Sequence, residues 1–255
     1  MGEREVGSDG SIANRPFAGK GATDSVDDSD DAPTADDPPD PSEIAEGTTS
    51  SVYLSPFRID VTVRTGVPHV VSRSRVAAAV GAALEAAGAP APASIGVVLS
   101  ADFEVAQLNA MHMGVSGATD VLSFPFFPPE AFPSHESGVS NQRDARVAAA
   151  LRQAFALPPG LRAHLGDIIV SVERAIVQAR DGRGGQSGDV RWTAAEELLL
   201  LTVHGTLHVC GWDHAEPLEE AAMRALERRV LASLAAPGHE HAGEADHGPA
   251  TEAAD

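Results

Sequence analysis

The chain has 255 residues and a formal net charge of −19 at pH 7, with 18 Lys and Arg against 37 Asp and Glu. Residues 1 to 50 hold 13 acidic and 3 basic residues, and residues 236 to 255 hold 5 acidic and no basic ones, so the acidity lies mainly in two tails. The region between them is near neutral, which argues against a nucleic-acid binder that works by bulk positive charge, and the single cysteine, Cys210, excludes an intramolecular disulfide framework. No apolar run reaches membrane length and the N-terminus, Met-Gly-Glu-Arg-Glu, does not read as a signal peptide. A soluble cytoplasmic protein with no membrane partner and no disulfide partner is expected.

In chain order, residues 1 to 50 lack periodic apolar positions and are expected to be disordered, with order beginning near Val52. Arg58 to Arg64 alternates as a strand does. Ser72 is placed to cap an Ala-rich helix running to about Ala87, ended by Gly88 and Pro90. Ser94 to Ser100 reads as a second strand. Asp102 then caps a helix with Val105, Leu108 and Met111 on one side, and Thr119 to Phe124 forms a short third strand.

Residues 125 to 164 read as an inserted loop, with a short helix over Asp144 to Phe155. Phe124, Phe126, Phe127 and Phe132 either line a surface or fill a minor core, and core filling is the expectation. Leu165 to Ser171 is a fourth strand, with an apolar centre that suggests burial on both faces. A helix over Val172 to Arg180 follows, then a Gly-rich linker, a helix opened by a Thr193–Glu196 capping box, and a last amphipathic helix over Glu216 to Leu234. This order gives an α+β single domain over residues 51 to 235, built on a small mixed four-stranded sheet, with a disordered acidic tail over 236 to 255.

The chemistry concentrates in His204-Gly-Thr-Leu-His-Val-Cys-Gly-Trp-Asp-His214. His204 and His208, four apart, project from one helix face. Gly211 can end the helix through a left-handed turn, returning His214 as a third ligand. Three neutral imidazoles and an open position make a catalytic zinc site. The spacing H-x3-H-x2-G-x2-H matches metzincin proteases, but the Glu that serves them as base is Gly205 here, so peptidase activity is not expected. Cys210 lies round the helix from His208 and reads as a small buried hydrophobe rather than a fourth ligand. Asp213, Thr119 and Asp120 are candidates for orienting a ligand or touching substrate, each with a turn-forming alternative. Asp167 has the same two readings. His112, His135 and His164 lack partners at ligand spacing and read as surface or loop residues.

Four blocks taken in order resemble the YbeY endoribonuclease family, metal-dependent bacterial rRNA maturation factors. They are Leu108-Asn109, Thr119-Asp-Val-Leu-Ser-Phe-Pro125, Leu165-Gly-Asp-Ile-Ile-Val-Ser171 and His204 to His214. The resemblance implies an α+β fold with a metal cleft and His204, His208 and His214 as ligands of one zinc ion. It also implies a single-strand-specific endoribonuclease whose partner is ribosomal RNA or the small ribosomal subunit, acting mainly at the 3′ end of that subunit's RNA and in ribosome quality control. The alternative is a ribosome assembly factor that binds RNA uncut around a structural zinc. The chain departs from the family at Met113, where an Arg is usual, and at Val115 and Ala118, where Lys and Pro are usual. A thioether cannot hold a phosphate as a guanidinium does. Either another arginine fills the cleft, with Arg143, Arg146, Arg183 and Arg191 in segments that read as flexible, or catalysis is weak or differently targeted.

Overall fold

The fold is that of a computed structural model, which describes residues 46–117, 119–133, 162–182 and 192–235. Five strands form one sheet in the order β1-β2-β3-β5-β4. β1 (Gly47–Leu54) and β2 (Phe57–Arg64) make an antiparallel hairpin. β2, β3 (Ala93–Ser100) and β5 (Ala163–Ser171) run parallel, and β4 (Val121–Pro125) closes the far edge antiparallel to β5.

The sheet therefore has five strands where the sequence pattern suggests four, and the first described strand starts at Gly47. The missing strand is β1. Seven of its eight residues are exposed, so no buried face imposes an apolar alternation on it. It is held by its backbone ladder to β2 and by polar cross-strand pairs, Thr49 with Thr62 and Ser51 with Asp60.

Alternation along the inner strands explains the core. Ile59, Val61, Ile95, Val97, Ile168 and Val170 are fully buried, while their neighbours Asp60, Gly96, Val98 and Ile169 are half-exposed. β5 is thus covered mainly on one face rather than both. Packed with this core are α1 (Arg73–Ala86), capped by Ser72, and α4 (Ala194–Val209). α5 (Pro217–Ala235) lies against α1 and α4 through Met223, Leu226 and Val230, but Leu218 stands exposed before that stripe.

α2 (Asp102–Met113) sits at the C-terminal ends of the parallel strands. Ser100 donates to Glu104 at 2.5 Å, Arg64 pairs with Glu104 at 2.7 Å, and Ser171 donates to Asp102 at 2.5 Å. Ala101 is the helix cap, and Asp102, expected there, is spent on Ser171 and Arg174. Met111, expected inside, is 58% exposed. α3 (Val172–Arg180) starts directly from β5 with Ser171 as its cap. Of the four phenylalanines expected in a minor core, Phe132 is buried, Phe127 is partly buried against the core, Phe124 is intermediate and Phe126 is exposed. The helix expected over Asp144 to Phe155 lies outside the described residues, as does nearly all of both tails.

One buried carboxyl has no obvious structural return. Glu197, in the first turn of α4, is 2% exposed and its Oε2 finds no hydrogen-bond partner. Burial, helped by the nearby Asp120 charge, holds its pKa above the usual 4.5. A carboxyl whose folded pKa exceeds its unfolded value adds stability below the unfolded pKa and loses it as pH rises through the folded one. Glu197→Gln should therefore melt higher than wild type at pH 8, by about 2–4 °C if about 1 kcal/mol is relieved. That gap should close as the pH falls below 4.5. Equal melting temperatures at pH 8 would show that the carboxylate is adequately solvated.

Candidate metal centre

α4 is built to be central. Its N-terminus carries the expected capping box: the Glu196 amide donates to Thr193 Oγ1 at 3.2 Å and the Thr193 amide to Glu196 Oε2 at 2.7 Å. The Thr193 amide and the Thr193 hydroxyl, both donating to Oε2, hold the Glu196 carboxyl below its ordinary pKa. The helix ends at Cys210 and Gly211, with Gly211 at φ +79°, the Gly211 amide on His208 O and the Trp212 amide on Leu207 O, both at 3.0 Å. This is the Schellman arrangement, and it turns the chain so that His214 comes back over the helix end.

Gly205 sets how close the helix sits to the sheet. A Cβ there would lie 2.9 Å from Val121 Cγ2, 3.2 Å from Ser123 Oγ and 3.3 Å from Ile168 Cγ2. Ser123 Oγ donates to the Gly205 carbonyl at 3.1 Å, tying β4 to α4 at the same point. The position that holds the proteolytic glutamate in metzincins thus faces strand β4 here. No longer side chain fits.

The three imidazoles converge. Ring centroids of His204 and His208 are 4.6 Å apart, those of His208 and His214 5.0 Å, and those of His204 and His214 5.5 Å. One ligand atom from each lies within 4.8 Å of the others, which is a set that could hold a metal ion.

The surroundings say which nitrogens face inward. His208 Nδ1 lies 2.9 Å from the Trp212 carbonyl oxygen, which can only accept, so Nδ1 carries the proton and Nε2 the lone pair. His204 Nδ1 lies 2.7 Å from Glu227 Oε1, which assigns the same tautomer against a carboxylate. The two Nε2 atoms then approach to 3.1 Å. With these tautomers the two nitrogens present lone pairs to one point, an arrangement that a cation between them would stabilise, and this is the observation that fits the residues to a metal. Burial, with the adjacent His204 and His214, pushes the His208 pKa down to about 4, so the ring is neutral near pH 7 and available as a ligand.

A cleft of about 420 Å³ opens beside the triad, lined by His204, His208, His214, Met113, Asp120 and Ser123 among others. Thr119 and Asp120 also border it, as the sequence suggests, but both are spent locally. Asp120 Oδ1 accepts from the Val121 amide and the Thr119 hydroxyl, and Oδ2 accepts from the Gln178 side-chain amide nitrogen Nε2 at 2.9 Å. Asp213 accepts from the His214 amide at 2.7 Å, the turn-forming alternative. Asp167 is held by His164 at 3.1 Å and does not line the cleft. His164 is fixed on β5 between Asp167 and Ser94 rather than in a loop, and His112 packs edge-on against Phe124. Cys210 is buried in the core, where burial pushes its thiol up to about 12, as befits a small hydrophobe and not a thiolate ligand. Arg143, Arg146, Arg183 and Arg191 lie outside the described residues.

Glu227 is the residue the sequence reading missed. It is 4% exposed on α5 and reaches His204 from a distant part of the chain. Its signal was an acid on an apolar stripe, four after Met223 and three before Val230, where burial demands a partner.

Comparison with known proteins agrees with the geometry. The family model described as endoribonuclease YbeY matches residues 64–235. A protein called endoribonuclease YbeY from Chloroflexus aggregans is 34% identical over 168 residues, covering 66% of this chain and 90% of its own length. One of the same name from Salinispora tropica is 40% identical over 151 residues, covering 59% of this chain and 80% of its own. A third, from Roseiflexus castenholzii, is 32% identical over 177 residues, covering 69% and 92%.

Two outcomes follow from the contacts around α4. Gly205→Ala must push α4 off β4 and should destabilise the protein by about 1–3 kcal/mol, as overpacking does; a denaturant midpoint equal to wild type would contradict the close approach. Glu227→Gln should weaken metal affinity about 10- to 100-fold, as loss of a ligand-orienting carboxylate does, measured by competition with a chromophoric chelator.

Proposed function

Because the chain belongs to the endoribonuclease YbeY family, we propose that it is a zinc-dependent endoribonuclease of the cytoplasm that cuts single-stranded ribosomal RNA, mainly at the 3′ end of the small-subunit RNA. The observation that carries this reading is the inward-facing triad of His204, His208 and His214 with a cleft along one side. Three protein donors and an open flank suit a catalytic rather than a closed structural site. The ribosomal part of the reading rests on the resemblance of the Thr119 to Pro125, Leu165 to Ser171 and His204 to His214 blocks.

His204, His208 and His214 would hold the ion. When bound, zinc supplies Lewis acidity toward a phosphoryl oxygen and acidifies water near neutral pH. Glu227 and the Trp212 carbonyl keep the two helical imidazoles turned so that Nε2 faces the site. The Asp120 carboxylate is satisfied by its own turn and by Gln178, so it anchors the cleft wall rather than accepting a substrate proton. Gly205 against β4 leaves no place for a peptidase base.

A second reading is favoured by Met113 on the cleft wall, where the described lining residues include no Lys or Arg: RNA is bound uncut around a structural zinc, in ribosome assembly. A cleavage assay on small-subunit rRNA precursor separates the two. Zinc-loaded wild type should cut, while His208→Ala and chelated wild type should not, and zinc should restore only the latter. Cleavage at full rate by metal-free protein would sink the proposal. RNA bound by zinc-loaded wild type but left intact would establish the second reading.

A further inference from the structure

The triad borders two cavities. Besides the large cleft, a second one of about 220 Å³ shares His204 and His214 with it and is walled by four residues of α5: Glu220, Met223, Arg224 and Glu227. Among the described residues lining the two cavities, Arg224 is the only Lys or Arg. Its Nη2 donates to Glu220 Oε1 at 2.5 Å, which uses one of the five donors that a guanidinium carries. Its Nε is buried and has no acceptor. A buried N–H without a partner is destabilising until an acceptor reaches it. The two carboxylates in this wall are already turned elsewhere, Glu220 onto Arg224 and Glu227 onto His204.

We propose that this second cavity is a phosphate subsite, in which Arg224 grips the RNA phosphate next to the one that is cut and Glu220 competes for the same guanidinium. The assignment rests on the reading of the protein as an RNA-cutting enzyme and adds where the strand runs: across the triad from the β4 side to the α5 side. A planar fork with spare donors fits phosphate oxygens, and backbone contacts of this kind position a strand without reading its sequence.

A Glu and an Arg four apart on a helix are also an ordinary surface pair, and the two roles predict different signs. As a helix pair only, Glu220→Gln and Arg224→Gln lower stability alike and leave RNA binding unmoved. As gripper and competitor, they move binding in opposite directions. The test is fluorescence anisotropy of the zinc-loaded full chain with a short 2′-O-methyl oligoribonucleotide, checked to remain intact, over a range of salt concentrations. Arg224→Gln should raise Kd about tenfold, as loss of one charge-assisted contact does, and reduce the salt slope by about one. Glu220→Gln should lower Kd about two- to fivefold, and Arg224→Lys should fall between wild type and Arg224→Gln. Shifts of the same sign, or none, overturn the subsite. If wild type cuts rRNA precursor while Arg224→Gln binds as well as wild type, the subsite alone is wrong; if wild type neither binds nor cuts RNA, the enzymatic reading falls and the subsite with it.

Discussion

The close approach of α4 to strand β4 at Gly205 is the constraint on which the site depends. With no side chain at that point, the helix backbone lies against Val121, Ser123 and Ile168, and Ser123 bonds its carbonyl. His204 precedes Gly205 by one residue and His208 follows it by three, so the depth of that contact sets the height of both imidazoles along the β4 wall. A bulkier residue at 205 would lift the helix and displace the rings together. The absence of a metzincin-type glutamate is thus a packing requirement of this fold as well as a difference in chemistry.

A second constraint acts on the imidazoles themselves. A carbonyl at one ring and a buried carboxylate at the other dictate which nitrogen bears the proton. Both remaining lone pairs are then turned toward one point, an arrangement that a cation between them would stabilise. Protein interiors tolerate such polar convergence only where each outer contact is satisfied. Here the outer contacts come from the turn after Gly211 and from α5, so the site is assembled by three separate parts of the chain.

The polar groups around the cleft show how function and structure compete for the same residues. Thr119 and Asp120 border the site, yet their hydrogen bonds run to each other, to the Val121 amide and to Gln178, where they fix the start of β4 against α3. Met113 makes one side of the cleft apolar. Among the described residues, the one Lys or Arg that lines a cavity beside the triad comes instead from α5, an element whose sequence reads as an ordinary amphipathic helix.

Much of this was legible in local pattern. The H-x3-H-x2-G-x2-H spacing, the Thr193–Glu196 box and the left-handed Gly211 are short-range features, decided by helix geometry and backbone sterics within a few residues, and they specified the triad before any packing was known. The inner strands were legible because one buried face imposes alternation. Strand β1 was not, since a polar edge held by its ladder leaves no apolar signature. Glu227 against His204 and the second cavity around Arg224 depend on how α5 docks, which is set by contacts between residues far apart in the chain. Sequence alone therefore determined which imidazoles meet; only the tertiary structure decided what orients them, which neighbouring carboxylates are already occupied, and where a positive charge stands beside them.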